Sequence, residues 1–196
     1  MEAERYPVGF TMKTVLVVYG TTEGQTRKVA EFIENALKEC GAKVDLLDSA
    51  SASAALVQPF YAAAIVCGSL HQHHYQASLL RFVQDNAAWL AGIPSAFIAV
   101  SLTAVIDDAE SRDELREAVE AFFRKAGWTP TITRHVAGAL RYSQYDYFKR
   151  LIMKLIAKQH RGDTDTTHDH EYTDWDDLTR FVEEFLAAAP LKESGH

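Results

Sequence analysis

The sequence lacks the features that mark nucleic-acid-binding, secreted and membrane-spanning proteins. Its 20 basic residues are outnumbered by 27 acidic ones, and the net charge is -7, whereas a nucleic-acid-binding surface normally shows a basic excess. Two cysteines in 196 residues do not make a disulfide framework, so we expect buried, reduced thiols. No apolar run reaches the roughly 18 residues of a spanning helix. The first eleven residues contain no apolar segment of the kind found in signal peptides.

The remaining features indicate one α/β domain. A length of 196 residues suits a single domain, and we expect a loose extension over 1–12, the domain proper over 13–190 and a tail over 191–196. Short apolar runs alternate with helical periodicities, which predicts βαβ units and a parallel sheet. The predicted strands cover residues 15–19, 43–47, 62–67, 95–100 and 131–140.

Five strands in this pattern favour a doubly wound sheet of order 2-1-3-4-5, which binds ligands at the carboxyl ends of strands 1 and 3. The last predicted helix covers 174–189, with Thr173 as its N-cap and Asp176 in the reciprocal capping position. Residues 141–172 form an insertion that is too long for a plain crossover. Whether it comes after strand 5 or within it stays open.

The turn after strand 1 is a candidate phosphate-binding loop. Hydroxyl groups and free backbone N–H groups at a helix N-terminus bind phosphate, and Gly24 permits close approach of the backbone. An ordinary N-capped turn is the alternative. The glycine patterns of dinucleotide-binding folds and of nucleotide-triphosphate P-loops are absent here. The loop consists of Thr21, Thr22, Glu23, Gly24, Gln25 and Thr26.

At this loop the chain resembles the flavodoxin superfamily, whose pattern Thr/Ser-x-Thr-Gly-x-Thr wraps the FMN phosphate. Thr21, Gly24 and Thr26 match it, and Glu23 stands where flavodoxins carry a hydroxyl. An acidic residue there is similar to the menaquinone-dependent protoporphyrinogen IX dehydrogenase family. The resemblance extends over about 12–187, and it includes the stretches 94–97, 137–142, 152–156, 162–166 and 172–175.

The resemblance implies a flavodoxin-like fold, FMN as cofactor and an enzyme of haem biosynthesis. Such an enzyme oxidises protoporphyrinogen IX to protoporphyrin IX and passes the electrons to menaquinone or another membrane quinone such as ubiquinone. It also implies that the loops after strands 3 and 4 flank the isoalloxazine ring. These loops contribute Ser69, Leu70, His71, Tyr75, Ser101, Leu102 and Thr103. For Tyr75 two roles stay open, stacking on the ring and anchoring the next helix.

Histidines in the loop after strand 3 suggest two further roles. His71 and His73 are candidates to accept a proton during dehydrogenation, because an imidazole titrates near neutral pH. Together with His74 they also resemble part of a metal site, as do His168 and His170. A closed metal site needs about four ligands, so we predict exposed loop histidines and no metal.

The insertion contains a predicted amphipathic helix over 147–161. Its apolar stripe comprises Phe148, Leu151, Ile152, Leu155 and Ile156. The basic residues are Lys149, Arg150, Lys154, Lys158 and Arg161. A core helix with a solvated face is one interpretation; the other is a surface helix that meets anionic lipid and a membrane quinone. The second predicts a cytoplasmic protein associated peripherally with the inner face of the membrane.

The same region supplies candidates for holding the substrate's propionates. Arg141, next to Tyr142, is the best placed for a bidentate contact with a carboxylate, with a salt bridge at the strand end as the alternative. Three rival functions stay open: a flavodoxin-type electron carrier, an NAD(P)H-dependent flavin or quinone reductase, and a metal-binding protein. The sequence leaves the catalytic base, the quinone type and any homo-oligomer undetermined.

Overall fold

A computed structural model of the protein describes residues 14–57, 60–71, 74–140, 149, 153 and 170–189. Strands and helices alternate along most of it. The strands are β1 Thr14–Gly20, β2 Lys43–Asp48, β3 Ala63–Ser69, β4 Ser95–Ser101, β5 Ile132–Ala137, β6 Ala139–Leu140 and β7 His170–Glu171. The α-helices are α1 Gln25–Glu39, α2 Ala77–Leu90, α3 Ala109–Ala126 and α4 Trp175–Ala188, and two short 3-10 helices span Ala52–Leu56 and Thr103–Val105.

The first five strands form one parallel sheet in the order β2-β1-β3-β4-β5, which confirms the predicted topology. Strand β1 pairs with β2 and β3, so that Val17 lies opposite both Leu46 and Ile65. Because parallel strands end at the same edge, the loops after β1, β3 and β4 come together at one edge of the sheet.

Helices cover both faces of this sheet, and the sheet divides the core into two halves. On one face Val15 and Val17 pack with Ile33 of α1 and Phe181 of α4. On the other face Leu16 lies in a cluster that includes residues of α2 and α3. Successive residues of β1 point to opposite faces, so β1 is buried on both sides, as its unbroken apolar run predicts.

The fifth predicted strand is shorter than expected and is followed by a separate pair. The parallel sheet ends at Ala137, and β6 then pairs antiparallel with β7, with Ala139 opposite Glu171. Between them Gly138 donates its backbone N–H to Ser101 O at 2.9 Å. The chain therefore leaves the sheet at Gly138, and the insertion begins and ends at this two-stranded stem, after strand 5.

The predicted N-cap of the last helix is wrong by one residue. Asp174 caps α4, because its carboxylate accepts a hydrogen bond from Asp177 N at 2.8 Å. The Thr173 hydroxyl instead donates to Ala137 O and accepts from Gln25 Nε2. Its oxygen is therefore committed to partners outside the helix.

Two expectations from composition concern the thiols and the membrane. Both cysteines are unpaired, as predicted, but only Cys67 is buried, and Cys40 is exposed because it follows the last residue of α1. Burial raises the pKa of the Cys67 thiol. In the described part of the chain, every helix is too short or too polar to span a bilayer.

Candidate functional site

A narrow cleft opens at the edge where β1, β3 and β4 end. It brings together parts of all three predicted flavin loops with the residues that follow β5. Its lining residues are Thr21, Glu23, Gln25, Ser69, Leu70, His71, Val100, Ser101, Leu102, Gly138 and Ala139. The structure thus assembles most of the predicted cofactor residues in one place, and it adds the Gly138–Ala139 pair, whose contribution we did not predict.

The loop after β1 is held in a tight turn that leaves the start of α1 open. Gly24 adopts a left-handed conformation with φ 90°, and its N–H donates to Thr21 Oγ1 at 2.9 Å. Among the described residues no side chain caps α1, and its first turn contains no acidic residue. The first backbone N–H groups of a helix have no partner within the helix and carry the positive end of its dipole. This end of α1 therefore suits a phosphate.

Thr26 provides an independent test of whether a ligand fits here. Its side chain is 1% exposed, and its Oγ1 atom has no hydrogen-bond partner in the described structure. A buried hydroxyl without a partner costs about 1–3 kcal/mol. The cost is removed when a ligand oxygen accepts from that hydroxyl. A phosphate at the start of α1 fits this donor.

Glu23, which departs from the flavodoxin pattern, faces the neighbouring loop. Its Oε1 lies 3.8 Å from Nδ1 of His71, and both side chains are partly buried. The carboxylate thereby connects the loop after β1 with the loop after β3.

Gln76 fastens the same two loops together, although sequence analysis did not single it out. Its Nε2 donates to Thr22 Oγ1 at 2.9 Å and to Ser69 O at 3.1 Å. Its Oε1 accepts from Ser69 N at 3.3 Å. A Cβ atom at Gly20 would lie 2.9 Å from that Oε1, so the absence of a side chain at Gly20 makes room for the amide.

The loops after β3 and β4 are anchored to the sheet by backbone contacts. Leu70 N donates to Val100 O at 2.8 Å, and Ser101 Oγ accepts from Ala104 N at 3.2 Å. Leu102 is buried at the cleft wall. Thr103 begins the following 3-10 helix and is not among the lining residues.

Tyr75 is not placed to stack on a flavin. Its ring packs edge-on against Phe97 and Phe122, with centroid distances of 5.2 and 5.0 Å, in the core under α2 and α3. Burial raises the pKa of its hydroxyl. Of the two roles left open for Tyr75, this packing agrees with anchoring of the next helix.

The stem of the insertion lies beside the cleft and is tied to α1. Lys28 Nζ contacts Glu171 Oε2 at 3.1 Å, and Tyr172 N donates to Gly138 O at 3.0 Å. Lys149 is helical and exposed. The other predicted substrate, membrane and catalytic candidates lie outside the described residues: His73, Arg141, Tyr142, Arg150, Lys154 and Lys158.

The described histidines do not form a metal-ligand cluster. Among the residues that the structure describes, no group of three or more His, Cys, Asp or Glu side chains is arranged to hold an ion. His71 and His74 are joined instead through their backbones, each N–H donating to the other's carbonyl oxygen at 2.9 Å. Two reciprocal backbone bonds fix the ends of this loop.

Comparison with known proteins agrees with the fold. The family model described as flavodoxin domain matches residues 16–167. Protoporphyrinogen IX dehydrogenase (quinone) of Escherichia coli strain K12 is 32% identical over 173 residues, 88% of this chain and 94% of that protein. The protein of the same name from Leishmania major is 30% identical over 177 residues, 90% and 75% of the two chains. The crystal structure of oxidised flavodoxin 2 from Bacillus cereus has a TM-score of 0.55 at 15% identity, covering 89% of this chain and 99% of that one.

Proposed function

This chain belongs to the flavodoxin domain family, and we propose that it is an FMN-dependent oxidoreductase of haem biosynthesis. In this proposal it oxidises protoporphyrinogen IX to protoporphyrin IX and passes the electrons to a quinone, the reaction for which its curated relatives are named. The relatives match most of the chain, so the similarity is not confined to the phosphate loop.

One structural observation carries the proposal beyond a flavin-binding fold. The stem of the insertion opens onto the cleft, where Gly138 and Ala139 line the same space as Ser69 and Ser101. A substrate held by the insertion would therefore approach the space assigned to the flavin ring. A plain electron carrier requires no such segment at this position.

Different residues around the cleft would hold the phosphate and the ring of FMN. The Thr26 hydroxyl and the first N–H groups of α1 suit its phosphate, with Thr21, Thr22 and Gly24 shaping the turn. The segments Ser69–Leu70–His71 and Ser101–Leu102–Thr103 would flank the ring. When bound, FMN accepts a hydride from the substrate and releases the electrons to an acceptor. The protein contributes placement of the ring and limits access of water to it.

The insertion would serve the substrate and the membrane. Between residues 146 and 161 there are five basic side chains and one acidic one, a local charge of +4 in a chain of -7. We propose that Lys149, Arg150, Lys154 and Lys158 contact anionic lipid headgroups at the inner face of the membrane. Arg141, next to Tyr142, would hold a propionate of the porphyrinogen.

The half-reaction tests this proposal without a quinone. FMN-loaded protein is mixed anaerobically with protoporphyrinogen IX, and the loss of oxidised-flavin absorbance is followed with the rise of porphyrin fluorescence. We expect flavin reduction to be faster than with free FMN and porphyrin fluorescence to rise after it, with three flavins reduced for each porphyrin, because the oxidation removes six electrons and each FMN accepts two. If porphyrinogen does not reduce the bound flavin and NADPH does, the proposed function is wrong and the reductase alternative is favoured.

A further inference from the structure

Two loops of the flavin cleft meet through an acidic and an imidazole side chain. Glu23 comes from the turn before α1, His71 from the turn after β3, and Oε1 lies 3.8 Å from Nδ1. The exposed fraction of the side chain is 20% for Glu23 and 29% for His71. Both side chains are therefore partly shielded from water but still accessible from the cleft. At the Glu23 position the flavodoxin pattern has a hydroxyl, and a carboxylate beside a phosphate is unfavourable. We therefore expect the Glu23 carboxylate to act on a group other than the phosphate.

The backbone fixes both members of the pair. His71 and His74 exchange two backbone hydrogen bonds of 2.9 Å, and the preceding Leu70 N–H donates to Val100 O in the sheet. In the loop that carries Glu23, Gly24 N–H donates a hydrogen bond to Thr21 Oγ1, and α1 begins at the next residue. A catalytic group needs this support, because its geometry must be set before the reaction begins.

A carboxylate facing one imidazole nitrogen decides what the other nitrogen can do. At 3.8 Å from Nδ1 the Glu23 carboxylate is beyond hydrogen-bond distance, but its negative charge favours the neutral ring as the Nδ1–H tautomer, with Nε2 as the proton-accepting nitrogen. The same carboxylate stabilises the imidazolium that forms when Nε2 takes a proton. Of the described residues that line the cleft, Glu23 and His71 are the titratable ones. The loop after β4 and the Gly138–Ala139 pair bring no ionisable side chain to it, and His74 adjoins through its backbone.

We propose that Glu23 and His71 form the proton-accepting pair of the oxidation, a role that rests on the proposed function. In the first two-electron step, a meso C–H bond of the porphyrinogen breaks and its electron pair leaves with the hydrogen as hydride, for which bound FMN would be the acceptor. A pyrrole N–H bond breaks as well, and its electrons form the new double bond of the macrocycle. His71 Nε2 takes that proton and passes it to water at the cleft mouth. Glu23 is the positioning residue that sets the tautomer.

The first test is structural and needs neither flavin nor substrate. Two-dimensional 15N NMR of the uniformly labelled protein distinguishes the two tautomers of each histidine, and the His71→Gln variant assigns its signals. We expect the Nδ1–H tautomer for His71 in the wild-type protein, and a mixture of tautomers in Glu23→Gln. A His71 ring that is mainly the Nε2–H tautomer, or one that does not change in Glu23→Gln, would overturn the proposed pairing.

The second test is chemical rescue. His71→Ala should turn over about 10²–10⁴-fold more slowly, the usual contribution of general base catalysis. Added imidazole should restore part of the rate. His74→Ala removes an imidazole from the same loop without touching the cleft lining, and it is the matched control.

Each outcome has a separate meaning. Turnover by His71→Ala within twofold of wild type would overturn the role of the imidazole. Loss of FMN binding in both His71→Ala and His71→Asn would assign the pair to flavin retention and would equally overturn it. A wild-type protein that binds FMN but does not oxidise porphyrinogen rejects the proposed function and the pair's catalytic role with it. The NMR test still decides whether the pair exists.

Discussion

The side-chain amide of Gln25 donates a hydrogen bond to the hydroxyl of Thr173, with 2.9 Å between Nε2 and Oγ1. The Thr173 hydroxyl in turn donates to Ala137 O at 2.8 Å. This short chain of hydrogen bonds joins the loop after β1 to the end of β5 and to the residue that follows the insertion's return strand. Hydrogen bonds therefore link the candidate phosphate-binding loop to the base of the insertion.

Replacing Thr173 with valine tests that connection. The substitution keeps the shape of the side chain, but it leaves the partly buried Gln25 amide and Ala137 O without their partner. We expect a loss of about 1–3 kcal/mol in the free energy of unfolding, measured by urea denaturation. FMN affinity should also fall several-fold. Thr179→Val, which removes an exposed hydroxyl on α4, is the control and should change neither quantity appreciably.

Replacing Thr26 with valine should have opposite effects on the apoprotein and on flavin binding. The Thr26 hydroxyl is buried and has no hydrogen-bond partner among the described residues, so its removal should stabilise the apoprotein by about 1 kcal/mol. The same change should weaken FMN binding about tenfold, which corresponds to about 1.4 kcal/mol. Urea denaturation and quenching of flavin fluorescence measure the two effects. Unchanged FMN affinity would mean that this hydroxyl does not reach the phosphate.

Gln76, the N-cap residue of α2, should contribute to the order of the cleft loops and so to FMN affinity. Gln76→Ala removes the contacts to Thr22 and to both backbone groups of Ser69. We expect FMN affinity to fall about tenfold, because the two loops are then less ordered before binding. The control is Gln84→Ala on the same helix, which removes a hydrogen bond to Lys125 O far from the cleft. Equal losses in the two variants would contradict a specific role for Gln76.

The sheet could be predicted from the sequence because its signals are local. Buried parallel strands are unbroken apolar runs, as in β1, β3 and β4, and glycine and threonine mark where β1 ends. Short connections and right-handed crossovers then restrict the strand order. The same reasoning places the candidate phosphate-binding loop at the first turn between a strand and a helix.

Errors arose where distant residues decide the role of a side chain. Tyr75 follows a predicted ring-binding segment, but Phe97 and Phe122 receive its ring in the core. Thr173 has the right spacing for an N-cap, but Gln25 and Ala137 use its hydroxyl. Gln76 belongs to no pattern at all, because its importance depends on contacts across the sheet edge. Such contacts are properties of the folded chain.

The basic residues of the insertion give a test of membrane contact. Reversing Arg150, Lys154 and Lys158 to Glu should weaken binding to anionic liposomes at least ~100-fold, because each basic residue near such a surface contributes about 1 kcal/mol. Liposome co-sedimentation measures this. The matched control reverses Arg112, Arg116 and Arg124 of α3, which gives the same change in net charge on exposed side chains. Equal weakening in both variants, or none in either, would contradict contact through the insertion.

Anaerobic turnover tests the central claim most directly. FMN-loaded protein is mixed with protoporphyrinogen IX and a menaquinone analogue, and porphyrin fluorescence is followed over time. We expect porphyrin formation that depends on the quinone and exceeds the spontaneous rate. No acceleration over the spontaneous rate, with the flavin bound and reducible, would contradict the account and leave the electron-carrier and reductase functions.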